Sequence, residues 1–202
     1  MPGDEAGPDR GPLALLLTPG AGADRDQSAL VAIDTEATLL GITVERMDFP
    51  DRRAGRRAPD RPPVLLGAVV EGAGQLARTA GVPPDRVVLG GRSMGGRICS
   101  MAVADGLPAA GLVLVSYPLH PPGKPDRLRA EHLPDLSVPC LFVSGTRDAF
   151  GTRAELEAAT STIPGGVTHV WVDGGDHGLR GKDAAVALAV ASWLRTTVGT
   201  RM

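Results

Sequence analysis

The chain has 202 residues and a formal net charge of −2, and 43% of its residues are apolar but only 3% aromatic. This charge balance disfavours a dedicated nucleic-acid or membrane-surface binder, and the length predicts one domain with a core of Ala, Val and Leu. No apolar run reaches the roughly eighteen residues that a membrane span needs, and the acidic, Gly/Pro-rich N-terminus does not resemble a signal peptide. Cys99 and Cys140 lie in apolar runs, which predicts buried free thiols. We therefore expect a soluble, cytoplasmic monomer or homodimer.

Short apolar runs alternate with longer amphipathic ones, which is typical of an α/β fold with about six mostly parallel strands and helices on both faces. In chain order, the first part of the pattern predicts a strand at 13–18, a helix at 27–40, a strand at 42–47, a helix at 64–80 and a strand at 87–90. The second part predicts a helix at 94–104, strands at 111–116 and 138–144, a helix at 152–160, a strand at 167–172 and a helix at 183–196.

The remaining segments are predicted to be irregular. Residues 1–12 are expected to form a flexible tail before a single domain at 13–202, and residues 48–63 and 118–137 are expected to be loops. In the closing helix, the spacing predicts inward-facing side chains at four positions, Ala185, Leu188, Ala189 and Trp193.

The most informative motif is Gly-Arg-Ser-Met-Gly at 91–95, which follows the predicted strand at 87–90 and precedes a predicted helix. This strand–turn–helix layout is that of a nucleophile elbow, in which a serine sits on a strained turn with its hydroxyl exposed above a sheet. Glycines at 91 and 95 are needed where neighbouring backbone leaves no room for a Cβ. Ser93 is therefore predicted to be a nucleophile rather than a plain turn or N-cap serine.

Two further residues complete the groups that acyl transfer needs. Asp148 and His177 follow the predicted strands at 138–144 and 167–172. Because ligands bind at the carboxyl ends of parallel strands, Ser93, Asp148 and His177 are expected to converge at one edge of the sheet. Their order along the chain, Ser then Asp then His, is that of α/β-hydrolases. The histidine would act as the general base and the aspartate would orient it.

Other aspartates and histidines compete for these roles. Asp173 and Asp176 share a short loop with His177, and a side chain at the preceding position usually points away from its neighbour. His169 lies inside a predicted strand, whereas His120 and His132 precede the acid in the chain and break the expected order. Asp148 and His177 are the preferred assignments.

The negative charge of a tetrahedral intermediate needs backbone donors. The amide of Met94, directly after the nucleophile, is one candidate, and that of Ala21 in the turn after the first strand is the other. Gly20 and Gly22 flank Ala21, and their small size would let a substrate approach the backbone.

The same stretches resemble the short, lidless α/β-hydrolases related to dienelactone hydrolase, in particular the small hydrolases that include a testis-expressed protein and a chromatin-complex subunit. The resemblance spans nearly the whole domain and rests on six segments: LLLTPGAGAD at 15–24, DFPDRRAGRRAPDRPP at 48–63, VVLGGRSMGGRICSM at 87–101, SYPLHPPGKPDRLRAEHL at 116–133, LFVSGTRDAFG at 141–151 and GGDHGL at 174–179. It implies a minimal α/β-hydrolase fold without a cap domain, a triad of Ser93, Asp148 and His177, and an oxyanion hole formed by Ala21 and Met94.

The chain departs from its relatives at two positions. Pro19 stands where the family usually has a histidine, and the nucleophile is serine, whereas dienelactone hydrolases proper use cysteine. Dienelactone is therefore a poor expectation for the substrate. Some relatives are subunits of assemblies, so a non-catalytic interaction module is an alternative to the hydrolase, as is a lyase or acyltransferase that uses the same residues.

A short segment at 118–137 leaves no room for a lid, which predicts an open site for small esters or thioesters, lined by Tyr117, Leu119 and His120. Arginines at 52, 53, 56 and 57 are either a solvated loop or a site for an anionic group. The sequence contains no metal-ligand spacing, dinucleotide fingerprint or Walker lysine, so no cofactor or metal is expected.

Overall fold

The computed structural model describes residues 11–199, and the first ten residues of the predicted tail lie outside this range. The six strands are β1 (Ala14–Thr18), β2 (Thr43–Arg46), β3 (Val87–Arg92), β4 (Gly111–Val115), β5 (Cys140–Gly145) and β6 (Val167–Val172). The helices are α1 (Ser28–Leu39), α2 (Pro50–Arg53), α3 (Pro62–Ala80), α4 (Met94–Ala104), α5 (Arg153–Thr160) and α6 (Asp183–Trp193). Every predicted strand and helix is present, with ends that differ by a few residues.

The strands form one parallel sheet in the order β2-β1-β3-β4-β5-β6, which confirms the predicted α/β architecture. The chain runs outwards from β1 to β2 and then crosses to the other side of β1 to form β3. The boundary between β1 and β3 is therefore the topological switch point, where parallel sheets bind their ligands.

Alternate residues of the central strands enter two separate cores, because side chains in a strand alternate between the faces of a sheet. In β1, Leu15 and Leu17 pack with α1 and α6, whereas Ala14 and Leu16 pack with α3 and α4. The helices after β1 and β3 thus lie on opposite faces. The loops that follow these strands diverge, and a crevice opens between them.

The predicted loop at 48–63 contains regular structure. Its first part forms the short helix α2, which begins with a proline, and its last residues already belong to α3, which also begins with a proline. Proline is well suited to the first turn of a helix because the amide that it lacks would have no helical partner there. Because the segment is polar, its sequence did not indicate that α2 and α3 begin there.

The inward face of α6 differs from the prediction. Trp193 is buried as predicted and Ala189 is partly buried, but Ala185 and Leu188 are exposed. The other buried positions of the helix are Val186, Ala187 and Val190. The helix is apolar on nearly every side, so its sequence contains little periodicity from which to choose a face. It then continues into a π-helical turn, Leu194–Val198.

None of the helices formed by residues 11–199 combines the length and apolar character needed to cross a membrane. Both cysteines are buried free thiols, as predicted.

The ends of β1 and β3 are in unusually close contact. A Cβ built on Gly91 would overlap the hydroxyl and carbonyl oxygens of Thr18, and one built on Gly95 would lie 2.5 Å from the carbonyl oxygen of Pro19. The Thr18 hydroxyl also donates a hydrogen bond of 2.9 Å to the Gly90 carbonyl. Glycine at 91 and 95 is therefore a steric requirement of the packing between these two segments.

We predict that Gly91→Ala lowers the free energy of unfolding by about 1–3 kcal/mol, because the added methyl group meets the backbone of Thr18 and also its hydroxyl, which is held by a hydrogen bond to Gly90. Gly67→Ala is the matched control. Gly67 is exposed within α3 and a Cβ there would meet nothing within 4 Å, so alanine should stabilise the protein by about 0.5–1 kcal/mol. Urea denaturation measures both values, and equal stability of the two variants would contradict the steric argument.

Candidate functional site

Ser93 lies on a strained turn at the switch point, between the end of β3 and the start of α4. Its φ is 52° and its ψ is −117°, a conformation that costs free energy in a residue other than glycine. The turn is held by the Ser93 amide, which donates a hydrogen bond of 2.8 Å to the Val115 carbonyl at the end of β4. The neighbouring strand therefore fixes the position of the serine.

Ser93, His177 and Asp148 form a continuous chain of hydrogen bonds. The Ser93 hydroxyl lies 2.8 Å from His177 Nε2, and His177 Nδ1 lies 3.0 and 2.9 Å from the two carboxylate oxygens of Asp148. An ionised carboxylate only accepts hydrogen bonds, so Nδ1 carries the proton in the neutral imidazole. Nε2 is then free to accept the proton of the Ser93 hydroxyl.

The carboxylate of Asp148 is buried and oriented by the loop that carries it. Its side chain is 3% exposed, against 20% for that of His177, and its Oδ1 accepts a further hydrogen bond of 2.8 Å from the Phe150 amide. A buried charge is costly unless it is paired and hydrogen-bonded, and this one has both kinds of partner. The imidazole is thereby held in one orientation.

The Phe150 ring stacks on the His177 imidazole, with 3.9 Å between ring centroids and 24° between planes. This contact covers one face of the imidazole and restricts its rotation. Phe150 was not predicted from the sequence, although its place two residues after the acid, on the same loop, was an available signal.

Arg92 connects the elbow to the histidine loop and was also missed. Its Nη2 donates a hydrogen bond of 2.6 Å to the His177 carbonyl oxygen. Burial lowers the pKa of this guanidinium, while the charges of Asp148, Asp176 and Asp183 act in the opposite direction. Arg92 is therefore close enough to three carboxylates to feel their charge, and its hydrogen bond connects the backbone of His177 to the end of β3.

The competing aspartates have other partners. Asp176 accepts a hydrogen bond of 2.8 Å from the Gly178 amide, which closes a local turn, and Asp173 accepts one of 3.4 Å from the Thr146 hydroxyl. Neither carboxylate is bonded to the imidazole of His177.

The competing histidines lie away from Ser93 as well. His120 Nε2 lies 3.4 Å from Glu155, and His169 Nε2 lies 2.9 Å from the Thr160 hydroxyl. His132 Nε2 lies 2.7 Å from the hydroxyl of Ser100, which is a buried residue of α4. Burial and, next, the charge of Arg97 lower the pKa of His132 to about 4. This second serine–histidine pair is therefore uncharged at neutral pH.

The turn after β1 brings backbone amides to the site. The Ala23 amide donates to the Gly20 carbonyl over 3.1 Å, and Gly22 has a φ of +72°, which suits the third position of a type II turn. Gln27 fixes the turn by accepting a hydrogen bond of 3.2 Å from the Gly20 amide. Within residues 11–199, the amides of Ala21 and Met94 have no acceptor.

A cavity of about 550 Å³ opens beside Ser93, and both Ala21 and Met94 line it. Its volume is in the usual range for small-molecule sites. The apolar part of its wall comes from α3, α4 and the loops that follow β4 and β5, through Pro62, Leu65, Ile98, Pro118 and Phe150. Its charged part is formed by Asp60, Arg92, Arg97 and Arg129.

The prediction that Tyr117, Leu119 and His120 line this cavity is wrong. All three are buried, and none belongs to its wall. Tyr117 packs edge-on against Phe142 at 5.6 Å and donates a hydrogen bond of 2.7 Å to the Arg129 carbonyl, so its ring and its hydroxyl both have partners inside the protein. Among residues 117–120, only Pro118 faces the cavity.

The arginines of the 52–57 segment do not line the cavity either. Arg56 holds Asp60 through two hydrogen bonds of 2.8 and 2.9 Å, and Arg52 pairs with Asp24 at 3.2 Å. These two guanidinium groups are paired with carboxylates of the protein.

The part of the chain that the structure describes contains no group of three His, Cys, Asp or Glu side chains arranged to hold a metal ion.

Comparison with known proteins gives a consistent result. The family model described as the alpha/beta hydrolase domain matches residues 12–192. A structure from Xanthomonas campestris pv. campestris, assigned to the hydrolases of the alpha/beta superfamily, is 26% identical with a TM-score of 0.68, and the match covers 91% of this chain and 98% of that one.

Two more distant structures share the fold. Dienelactone hydrolase from Anabaena variabilis is 20% identical with a TM-score of 0.69, over 93% of this chain and 87% of that chain. An alpha-beta serine hydrolase homologue from Coxiella burnetii is 17% identical with a TM-score of 0.72, over 92% and 88% of the two chains.

The depressed pKa of His132 predicts a loss of stability in mild acid. The unfolded chain protonates this imidazole near its ordinary pKa of 6.5, whereas the folded protein does so near pH 4. Between these pH values the proton binds the unfolded state preferentially. The contribution of neutral His132 to the free energy of unfolding is therefore complete above about pH 6.5 and is lost as the pH falls towards 4. The Ser100 hydroxyl donates to the Arg97 carbonyl over 2.8 Å, so it accepts from His132. His132→Gln, whose side-chain amide can still donate to this hydroxyl, should show a flatter dependence of unfolding free energy on pH across this window. Parallel curves for wild type and variant would exclude His132 as the group responsible.

Proposed function

Because the chain belongs to the alpha/beta hydrolase domain family, we propose that it hydrolyses small carboxylic esters or thioesters through an acyl-enzyme formed on Ser93. The observation that carries this proposal is the unbroken chain of hydrogen bonds from Ser93 through His177 to Asp148, on the wall of an open cavity. In this reaction Ser93 is the nucleophile, His177 is the general base and acid, and Asp148 orients His177.

In the first half of the reaction, Ser93 attacks the substrate carbonyl carbon while His177 Nε2 takes its proton. A hydroxyl is a weak nucleophile unless a base removes its proton during attack, and the distance of 2.8 Å between Oγ and Nε2 allows this transfer directly. The imidazolium that forms keeps its Nδ1 proton on Asp148, whose negative charge stabilises it.

The unpaired amides of Ala21 and Met94 are proposed to bind the oxyanion of the tetrahedral intermediate. Each lacks an acceptor within residues 11–199 and each belongs to the cavity wall, so neither has to break a protein hydrogen bond to bind the oxyanion. Proline has no backbone N–H, but the two proposed donors are the amides of Ala21 and Met94. Pro19 therefore removes neither of them.

Collapse of this intermediate expels the alcohol or thiol, which receives the proton from His177. Water then attacks the acyl-enzyme with His177 again as the base, and the carboxylic acid leaves. The open side of the cavity gives water access to the ester bond. The same openness favours short acyl groups over long lipid chains, which need an enclosed apolar tunnel.

The proposed function also includes a narrower family relation and a cellular compartment. The stretch SYPLHPPGK at 116–124 supports a relation to the small hydrolases that include the testis-expressed protein and the chromatin-complex subunit. The two buried free thiols favour a reducing compartment such as the cytoplasm.

Fluorophosphonate labelling tests the nucleophile. We expect the probe to modify wild-type protein at Ser93 and to leave Ser93→Ala unmodified, because His177 activates only this hydroxyl. Ser192→Ala, at an exposed position on α6, is the control and should be labelled like wild type. Mass spectrometry of the labelled peptides gives the site. Absence of labelling in folded wild-type protein would favour the alternative of a non-catalytic interaction module.

Turnover of 4-nitrophenyl acetate tests the acid. Asp148→Asn should lower kcat on the order of 10⁴-fold, because an amide no longer holds His177 in the required tautomer. Asp176→Asn changes the competing carboxylate on the histidine loop, and its asparagine oxygen can still accept from the Gly178 amide. This control should keep close to the wild-type rate. A larger loss in Asp176→Asn than in Asp148→Asn would reverse the assignment.

A further inference from the structure

The cavity beside Ser93 carries an excess of positive charge that the hydrolytic chemistry does not use. Arg97 and Arg129 both line it, together with Arg92. Arg97 follows Ser93 by four residues in α4, and its amide donates a hydrogen bond of 3.1 Å to the Ser93 carbonyl. Residues four apart lie on the same side of a helix, so the guanidinium of Arg97 belongs to the wall next to the nucleophile.

Arg129 reaches the same wall from the segment between β4 and β5. Its backbone is fixed on both sides, since its amide donates to the Leu119 carbonyl over 2.8 Å and its carbonyl accepts from the Tyr117 hydroxyl over 2.7 Å. The buried Tyr117 and Leu119 therefore hold the base of Arg129 in place. Two residues outside the cavity, one through its hydroxyl and one through its backbone carbonyl, thus shape the cavity wall.

Neither guanidinium is neutralised by the described part of the protein. The side chains of Arg97 and Arg129 form no hydrogen bond or ion pair among residues 11–199, and Arg97 Nε is buried without a partner. By contrast, Arg92 binds the His177 carbonyl, and Arg56, just outside the cavity, binds Asp60. Both guanidinium groups therefore belong to the cavity wall with hydrogen-bonding capacity that no group among residues 11–199 uses, which leaves them available to an anionic ligand.

The neighbouring titratable groups do not supply the missing negative charge. Asp60, the carboxylate that lines the cavity, is held by Arg56, and Asp148, which does not line it, is held by His177. Glu131 is exposed and forms no ion pair within 4.0 Å among residues 11–199. His132 is neutral at physiological pH. The pKa of Arg129 is lowered by burial and then by the charge of Arg97, which means that the two cations repel each other.

We propose that Arg97 and Arg129 form a carboxylate-binding subsite, and that the substrates are anionic esters or thioesters with a free carboxylate on the acyl chain. A guanidinium presents paired N–H donors in the plane that suits a carboxylate, so two such groups bind and orient it strongly. This inference rests on the proposed ester hydrolysis at Ser93 and adds the class of its substrate. The anion would hold the acyl chain along α4 with the scissile carbonyl at Ser93.

Kinetics with two matched esters test the subsite. The 4-nitrophenyl hemiester of adipic acid and 4-nitrophenyl hexanoate have acyl chains of equal length and differ in the terminal carboxylate. Wild-type protein should have a higher kcat/KM for the hemiester. Arg97→Gln and Arg129→Gln should each reduce the ratio of the two kcat/KM values on the order of 10- to 100-fold, the range for a lost hydrogen bond to a charged group.

The control is Arg195→Gln, which removes an exposed arginine from the C-terminal π-helical turn, outside the cavity. Its ratio should equal that of wild type, and thermal unfolding should show that all variants are folded. A wild-type preference for the neutral ester, or a ratio unchanged in both cavity variants, would overturn the proposal.

Calorimetric binding separates this subsite from the proposed catalysis. Adipate is titrated into Ser93→Ala, which has no nucleophile, and into the same variant with Arg97→Gln added. Binding to the first and its loss in the second supports the subsite even if no ester is turned over. No binding of adipate to Ser93→Ala, or tighter binding of inorganic phosphate than of adipate, would show that the site is not built for a carboxylate.

Discussion

The contact between the ends of β1 and β3 is the constraint on which the site depends. Thr18 and Pro19 lie against Gly91 and Gly95 so closely that no side chain fits between them. This contact brings the turn that carries Ala21 beside the strained elbow that carries Ser93. The two strands also lie on either side of the topological switch point, so the loops that leave them separate and form the cavity. A single backbone contact thus sets both the donor turn and the nucleophile in place.

The polar groups around Ser93 are of two kinds, those with hydrogen-bond partners in the protein and those without. Groups that hold the structure have partners: Ser93 through Val115, His177 through Arg92, and Asp148 through Phe150. Groups on the cavity wall lack them within residues 11–199, namely the amides of Ala21 and Met94 and the guanidinium of Arg97. Polar groups in proteins are normally satisfied, so unpaired donors concentrated on one wall are what a site for an oxygen-rich ligand requires. The wall of one cavity thus combines rigidly held side chains with donors that can bind a ligand.

The sequence predicted the fold well because its main signals are local. Apolar runs located all six strands, and the elbow motif located the turn after β3. The errors occurred where local signals are weak. The helix α2 lies in a polar segment, and α6 is apolar on nearly every side, so the first was missed and the buried face of the second was assigned to Ala185 and Leu188 instead of Val186 and Val190.

The sequence by itself determined the fold class and the identity of Ser93, Asp148 and His177 as candidates, since the carboxyl ends of parallel strands must meet at one edge of the sheet. Only the tertiary structure decided which loop side chains face the cavity. It buried Tyr117, Leu119 and His120, which were expected on the wall, and it placed Arg92, Phe150 and Arg97 there. The physical reason is that a loop has no fixed periodicity, so the direction of each side chain depends on partners that are distant in the chain.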